Sequence, residues 1–131
     1  MKDRILVVED DFCNCISALV AFDKNENVEN VLAAASLTEA LKQVEEFRPT
    51  LALLDVHIKE GKGTAVGAVL TQKNIPYVYV TGVEPDGNHS DGHDIIAAIE
   101  IQDASRKTLA RFITRDKDAD IWKAAYDFLK N

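Results

Sequence analysis

The chain has few of the residues that cross-link, anchor or export a small protein. Its 2 cysteines among 131 residues, Cys13 and Cys15, lie two apart near the start of a predicted helix, where they point to different faces and are poorly placed for a disulfide. Free thiols fit a reducing compartment. No apolar run approaches the roughly 20 residues of a membrane helix, and the run near the N-terminus is too short for a signal peptide. We therefore expect a cytoplasmic protein that does not cross a membrane.

Basic side chains are also in the minority. The 15 Lys and Arg residues against 22 Asp and Glu residues give a net charge of −7. This balance argues against a nucleic-acid partner, which requires a basic face. Clustered carboxylates instead suit a hard cation such as Mg²⁺. The length suits one domain with one continuous core.

Short apolar runs alternate with amphipathic segments along the whole chain. The runs predict strands over residues 4–8, 31–35, 51–56, 77–81 and 109–114. The segments predict helices that begin near residues 12, 37, 64, 95 and 118. This alternation predicts an α/β fold in which a doubly wound, five-stranded parallel sheet carries helices on both faces.

Three local patterns support individual helices. Asp11 is a predicted N-cap, and the helix after it has an apolar stripe at helical spacing, formed by Phe12, Ile16, Leu19 and Val20. Residues 95–102 are predicted to be helical and follow a long turn-rich loop over residues 84–94. In the last helix we expect a core face of Ile121, Trp122, Ala125, Phe128 and Leu129.

Polar residues stand at the carboxyl ends of the predicted strands. Glu9 and Asp10 follow the first strand, Asp55 follows the core of the third, and Thr81-Gly82 follows the fourth. Ligands of open parallel sheets bind at this edge. Carboxylates gathered there repel one another unless a cation such as Mg²⁺ binds between them. A carboxylate in such a site can attack a phosphoryl group and form an acyl phosphate.

Three motifs together resemble the receiver domains of two-component response regulators. They are ILVVEDD over residues 5–11, PTLALLDV over residues 49–56 and IPYVYVTG over residues 75–82. The resemblance covers residues 4–82 and is loose beyond them. It implies the flavodoxin-like receiver fold and a single receiver domain over residues 1–131, with no output domain.

The resemblance also implies site roles. Asp55 is the expected phosphoacceptor and also an expected Mg²⁺ ligand, and Asp10 is expected to bind the ion directly. Glu9 is expected to bind Mg²⁺ through water, and the backbone carbonyl of His57 to complete the metal site. Lys59 stands where the family usually has proline, while Gly63 fits the family's glycine. This variant, with the Thr-Gly pair, resembles a subgroup of single-domain receivers paired with unorthodox histidine kinases.

The phosphoryl-binding residues implied by the resemblance extend into the looser part of the chain. The Thr81 hydroxyl is expected to bind a phosphoryl oxygen, and Gly82 to leave room for it. The family's lysine after strand 5 is absent. Counting back from the last helix places Arg115 there and Phe112 at the aromatic switch position, with two basic residues as competitors, Lys107 and Arg111.

By this resemblance, a histidine kinase or phosphotransfer protein phosphorylates Asp55. The change then reshapes helix 4, strand 5 and helix 5 for an unknown downstream protein. Such a protein is a signalling phosphoacceptor and not a conventional enzyme, although it can catalyse its own phosphotransfer and dephosphorylation. A pseudo-receiver, acting as a constitutive interaction module, is the alternative. A Mg²⁺-dependent phosphohydrolase is a third possibility. Such an enzyme needs a second acid two residues after the nucleophile, and the chain has His57 there, which argues against it.

Overall fold

The structure, a computed structural model, describes residues 2–80, the backbone of residues 97–102 and 108–114, and residues 118–130. The strands are β1 (Asp3–Val8), β2 (Val28–Ala34), β3 (Leu51–Leu54), β4 (His57–Ile58), β5 (Gly61–Lys62), β6 (Tyr77–Val80), β7 (Ala97–Gln102) and β8 (Thr108–Thr114). The helices are α1 (Phe12–Phe22), α2 (Leu37–Glu46), α3 (Gly63–Gln72) and α4 (Ala119–Lys130).

Within the described part of the chain, six strands form the main sheet, in the order β2-β1-β3-β6-β8-β7. The five strands from β2 to β8 pair in parallel, as the alternation of strands and helices predicts. The sixth strand, β7, is antiparallel to β8 and lies at the edge. The doubly wound parallel sheet is therefore confirmed, with one antiparallel strand added to it.

Alternate side chains of the strands face two cores. Ile5, Val7, Leu53 and others pack with α1 and α4 in what we call the α1–α4 core. Leu6, Val8 and Leu54 point the other way and pack with α2 and α3 in the α2–α3 core. The strands β1 and β3 are buried along their length because helices cover both faces, which explains their continuous apolar sequences.

The prediction of a helix over residues 95–102 is wrong. Residues 97–102 form β7 instead, with Ile99 paired to Phe112 of β8. The sequence Ile99-Glu100-Ile101-Gln102 alternates apolar and polar residues, which is the period of a strand, and isoleucine favours extended backbone. That alternation outweighs the helical pattern. Of the three elements expected to respond to phosphorylation, this helix is therefore replaced by a strand, while the predicted fifth strand and last helix are present as β8 and α4.

The apolar stripe that predicts α1 does not face the core. Phe12 is 76% exposed, and Ile16, Leu19 and Val20 are exposed as well. The buried face consists of Ala18, Ala21 and Phe22. Both rows have helical spacing, and the alanine row allows α1 to approach the sheet closely. The start of the helix is confirmed, because Asp11 Oδ1 accepts a hydrogen bond from the Asn14 amide at 3.0 Å.

The loop predicted between β3 and α3 contains a small antiparallel hairpin. Its strands β4 and β5 pair His57 with Lys62 and Ile58 with Gly61. The two residues between them form the turn, in which Glu60 has a φ of 68°. Ile58 is buried against the α2–α3 core, so the hairpin is fixed to the rest of the fold.

A buried carboxylate fastens the last helix to the start of the sheet. Asp3 accepts hydrogen bonds from Tyr126 at 2.6 Å and Thr50 at 2.8 Å, and pairs with Lys130 at 3.0 Å. Burial alone raises the pKa of Asp3, but these three partners outweigh it and hold the pKa below its usual value. Burial and the Asp3 carboxylate raise the pKa of Tyr126, which keeps the hydroxyl a donor.

Among the described residues, no helix combines the length and apolar character needed to cross a membrane.

Candidate functional site

Three carboxylates meet at the carboxyl edge of the parallel strands. Ligand oxygens of Glu9, Asp10 and Asp55 all lie within 4.8 Å of one another. The register explains this arrangement, because Val8 pairs with Leu54 at the ends of the neighbouring strands β1 and β3. The residues that follow these two strands therefore leave the sheet side by side. The sequence predicted this grouping.

The Glu9 carboxylate is buried and held in place. Only 1% of the residue is exposed. Its Oε1 accepts hydrogen bonds from the Asp11 amide at 3.2 Å and from Asn14 Nδ2 at 3.1 Å. Its backbone amide donates to the Ala34 carbonyl at 2.9 Å, which connects the site to β2. These contacts fix the orientation of the Glu9 carboxylate within the site.

Asp55 is half-buried at the start of the loop that leads to the hairpin. Its amide donates to the Val8 carbonyl at 2.8 Å, and its Oδ1 accepts from the Val56 amide at 2.8 Å. Gly63 is required opposite it, because a Cβ atom at that position would overlap the Asp55 carbonyl oxygen. The Gly63 amide donates to the Val56 carbonyl at 2.7 Å and closes the loop.

The donor set fits Mg²⁺. All three candidate ligands are carboxylate oxygens, the hard donors that Mg²⁺ prefers. Two ligands on opposite sides of one Mg²⁺ ion lie about 4.2 Å apart, twice the usual metal–oxygen distance. A separation of up to 4.8 Å is therefore compatible with binding through one or two of these carboxylates plus water. Asp10 is exposed and Glu9 is buried, so the Asp10 carboxylate is the more accessible of the two.

Of the remaining predicted site residues, the structure describes His57 and the backbone of Phe112. His57 lies in β4 with its side chain exposed, two positions after Asp55. The backbone of Phe112 lies in β8, paired with Tyr79 of β6. Arg111 is also in β8. Three predicted site residues lie outside the described residues, namely Thr81, Gly82 and Arg115, and so does the competing Lys107.

Two neighbours of the site were missed by the sequence analysis. Asn14 binds Glu9 through its side chain, and Cys15 Sγ donates to the Glu9 carbonyl at 3.2 Å. Their positions three and four residues after Asp11, in the first turn of a helix that begins at the acidic pair, are the signal that could have identified them. Cys13 is exposed and Cys15 half-buried, and both thiols are free of disulfide bonds as expected.

No family model matches this sequence, and no curated protein sequence matches it significantly. Solved structures do match. The phosphorylated cyanobacterial phytochrome response regulator RcpA is 20% identical, with a TM-score of 0.71 over 100% of this chain and 96% of that one. The signal receiver domain of a LuxO repressor protein from Vibrio parahaemolyticus is 20% identical, with a TM-score of 0.69 over 99% of this chain and 92% of that one.

A third match is the response regulator domain of Thermotoga maritima CheB. It is 14% identical and has a TM-score of 0.67 over 99% of this chain and 95% of that one. Each of the three similarities covers nearly all of both chains. At these identities they concern the fold. The chain has the fold of a response-regulator receiver domain.

Proposed function

We propose that this chain is a phosphoacceptor of a two-component phosphorelay, which takes a phosphoryl group on Asp55 in the presence of Mg²⁺. The observation that carries the proposal is the convergence of Glu9, Asp10 and Asp55 at the carboxyl edge of the sheet. Carboxylates placed so close together raise the energy of the unliganded site, and a bound cation removes that cost. The receiver fold supports the same assignment.

In the proposed reaction Asp55 is the nucleophile. One of its carboxylate oxygens forms a bond to the phosphorus atom of a phosphohistidine, and the bond from phosphorus to the imidazole nitrogen breaks. The electron pair of that bond leaves with the imidazole, and the product on the chain is an acyl phosphate. Oδ1 of Asp55 accepts a hydrogen bond from the Val56 amide, which fixes the carboxylate for attack. Mg²⁺ supplies positive charge beside the phosphoryl oxygens when it is bound.

The acidic pair has the metal-binding role. Asp10 is the direct ligand in this proposal, because it is exposed. We assign binding through water to Glu9, which is buried and whose Oε1 already accepts two hydrogen bonds. The Thr81 hydroxyl, the space beside Gly82, and Phe112 with Arg115 complete the phosphoryl-binding and switch residues of the proposal.

The exposed face of α1 favours a protein as the phosphodonor. Phe12 is 76% and Val20 59% exposed, and α1 contains no charged residue. This apolar face begins two residues after Asp10. A protein that reaches Asp55 therefore passes next to it, and apolar side chains of this kind serve as anchors of an interface. We assign this face to a histidine kinase or phosphotransfer protein that presents apolar helical side chains.

Intact-mass measurement after treatment with acetyl phosphate tests the proposal. With Mg²⁺, the wild-type chain should gain the mass of one phosphoryl group, and Asp55→Asn should gain none. Asp11→Asn is the matched control, because it makes the same chemical change in a neighbouring acid and asparagine caps a helix as well as aspartate does. It should be labelled like the wild type.

Two results would reject the assignment. Labelling of Asp55→Asn would place the acceptor elsewhere. A wild-type chain that is labelled neither by acetyl phosphate nor by autophosphorylated kinases from the same organism would favour the pseudo-receiver.

A further inference from the structure

The junction between β2 and α2, residues 34–37, is hydrogen-bonded to both sides of the acidic site. On one side, the Glu9 amide donates to the Ala34 carbonyl at 2.9 Å. On the other side, the Leu37 amide donates to the carbonyl of Lys59, in the hairpin turn, at 2.9 Å. The Lys59 amide returns a longer bond of 3.4 Å to the Ala35 carbonyl. The junction thus bridges the segment that carries Glu9 and the segment that follows Asp55.

The hairpin connects this junction to Asp55 through short backbone steps. Asp55 Oδ1 accepts from the Val56 amide, and the Val56 carbonyl accepts from the Gly63 amide. The strands β4 and β5 then extend from this closed base to the turn at Lys59. A Cβ atom on Gly61 would lie 2.6 Å from the Leu37 side chain, so the hairpin and α2 are in close contact.

The first turn of α2 begins at this junction. Ser36 caps the helix, accepting from the Glu39 amide at 3.1 Å through its hydroxyl and from the Ala40 amide at 2.9 Å through its carbonyl. Leu37 is the first helical residue, so its amide has no partner within the helix and is satisfied by Lys59 instead. Any displacement of the hairpin relative to β2 therefore acts on the start of α2.

We propose that the first turn of α2 responds to occupancy of the acidic site, through the hydrogen bonds of the β2–α2 junction with Glu9 and with Lys59. The inference rests on the proposed function and concerns how that site is read. A cation that draws the Glu9 and Asp55 segments together restrains both partners of the junction, so the first turn of α2 opens less often. The response to the ligand is thus expected at α2, near the β2 edge of the sheet and away from the β7 edge.

The side chains that this change would present are polar. Thr38 and Glu39 of α2 and Lys59, Glu60 and Lys62 of the hairpin are all exposed. A partner protein that binds here would form hydrogen bonds, and ion pairs with both acidic and basic side chains. The apolar face of α1 offers neither.

Hydrogen exchange followed by NMR tests the inference on the full chain. Adding Mg²⁺, and then beryllofluoride as a phosphoryl mimic, should slow exchange of the Glu39 and Ala40 amides by roughly threefold to tenfold, the range expected for one net hydrogen bond. The Ile121 amide of α4, which donates to the Asp118 side chain just before that helix, should not change and serves as the internal reference.

Leu37→Pro and Leu37→Ala form the matched pair of variants. Proline is tolerated at the first position of a helix, and Ser36 already has the extended backbone, φ −132° and ψ 161°, that a residue before proline requires. Leu37→Pro therefore removes the amide that binds Lys59 with little other cost to the helix. Leu37→Ala keeps that amide and removes only the side chain. The Mg²⁺ effect on exchange should persist in Leu37→Ala and vanish in Leu37→Pro.

A second pair covers the case in which Leu37→Pro does not fold. Lys59→Pro removes the amide that donates to Ala35, and Lys59→Ala retains it. The Mg²⁺ effect should shrink in Lys59→Pro and persist in Lys59→Ala.

The failures are distinguishable. If the Asp10 and Asp55 amides shift on titration with Mg²⁺ while Glu39 and Ala40 exchange as before, the inference is wrong and the proposed function stands. The same holds if Leu37→Pro, or Lys59→Pro in its place, responds as the wild type does. If Mg²⁺ shifts no amide at Asp10 or Asp55, the proposed function fails and the inference fails with it.

Discussion

The strand β1 has carboxylates at both ends, in opposite environments. At its start, Asp3 is surrounded by donors, with Tyr126, Thr50 and Lys130 all within 3.0 Å of its oxygens. Beyond its other end, Glu9 and Asp10 face a third carboxylate, Asp55. We call these the donor-rich end and the acidic end. Acidic residues at the two ends of one strand thus have opposite electrostatic surroundings.

The difference separates stability from function. At the donor-rich end the fold itself supplies every charge and hydrogen bond that the carboxylate requires, so Asp3 stabilises the folded chain. At the acidic end part of the compensation has to come from a ligand, because like charges in close proximity destabilise one another. Removing the carboxylate at the donor-rich end should therefore lower the stability of the fold. Removing one at the acidic end should weaken ligand binding.

The largest expected effect is at the donor-rich end. Asp3→Ala should lower the free energy of unfolding by about 3 kcal/mol, because it leaves Lys130 and two hydroxyl groups without their shared acceptor. Urea denaturation followed by circular dichroism measures this change. Asp23→Ala, at the exposed end of α1, is the control and should cost less than about 0.5 kcal/mol. Equal losses in the two variants would show that Asp3 stabilises the fold no more than an exposed aspartate does.

The acidic end should respond in ligand affinity. Asp10→Asn should weaken Mg²⁺ binding by more than about tenfold, because the site loses an anionic ligand. Isothermal titration calorimetry measures the affinity, with Asp11→Asn as the matched control that keeps it. Unchanged affinity in Asp10→Asn would mean that the metal binds elsewhere.

A smaller effect isolates one donor at the donor-rich end. Tyr126→Phe removes the hydroxyl that donates to Asp3 and should cost about 1 kcal/mol of unfolding free energy, the usual net value of one hydrogen bond. In Asp3→Ala the same substitution should cost much less, since the acceptor has already gone. A double-mutant cycle by urea denaturation measures this coupling. Additive losses would show that Tyr126 and Asp3 act independently.

The smallest expected effect is on the pH dependence of stability. The pKa of Asp3 is lowered in the folded chain, so its stabilisation is present above the unfolded pKa of about 3.9 and is lost as pH falls through the lower folded value. Between about pH 4 and pH 2, stability should decline more gently in Asp3→Asn than in the wild type. Parallel pH profiles of the two proteins would contradict the assignment.

The acidic end was predictable from sequence because its causes are local. The apolar runs that become β1 and β3 each end in acids, and parallel strands bring such ends to one edge. The Asp11 cap and the start of α1 follow from equally local chemistry. The hairpin of β4 and β5 was not predicted, because its two-residue strands are too short to show any periodicity.

The errors arise where one sequence supports two patterns. The helix α1 has an apolar row and an alanine row, and only packing against the sheet and α4 determines which one is buried. Residues 97–102 combine helix-compatible alanines with the alternation of Ile99 to Gln102, and pairing with β8 determines their state. The donor-rich end was also missed, because Asp3 and Tyr126 are 123 positions apart in the chain.

Trp122 gives the protein an optical reporter of its own packing. It is the only tryptophan in the sequence and is fully buried in the α1–α4 core. Its fluorescence spectrum therefore depends on whether this core remains closed to water. A substitution at the acidic end that abolishes Mg²⁺ binding without shifting the emission to longer wavelength has altered the site alone. A red-shifted emission identifies a variant whose core has opened, before any binding measurement is interpreted.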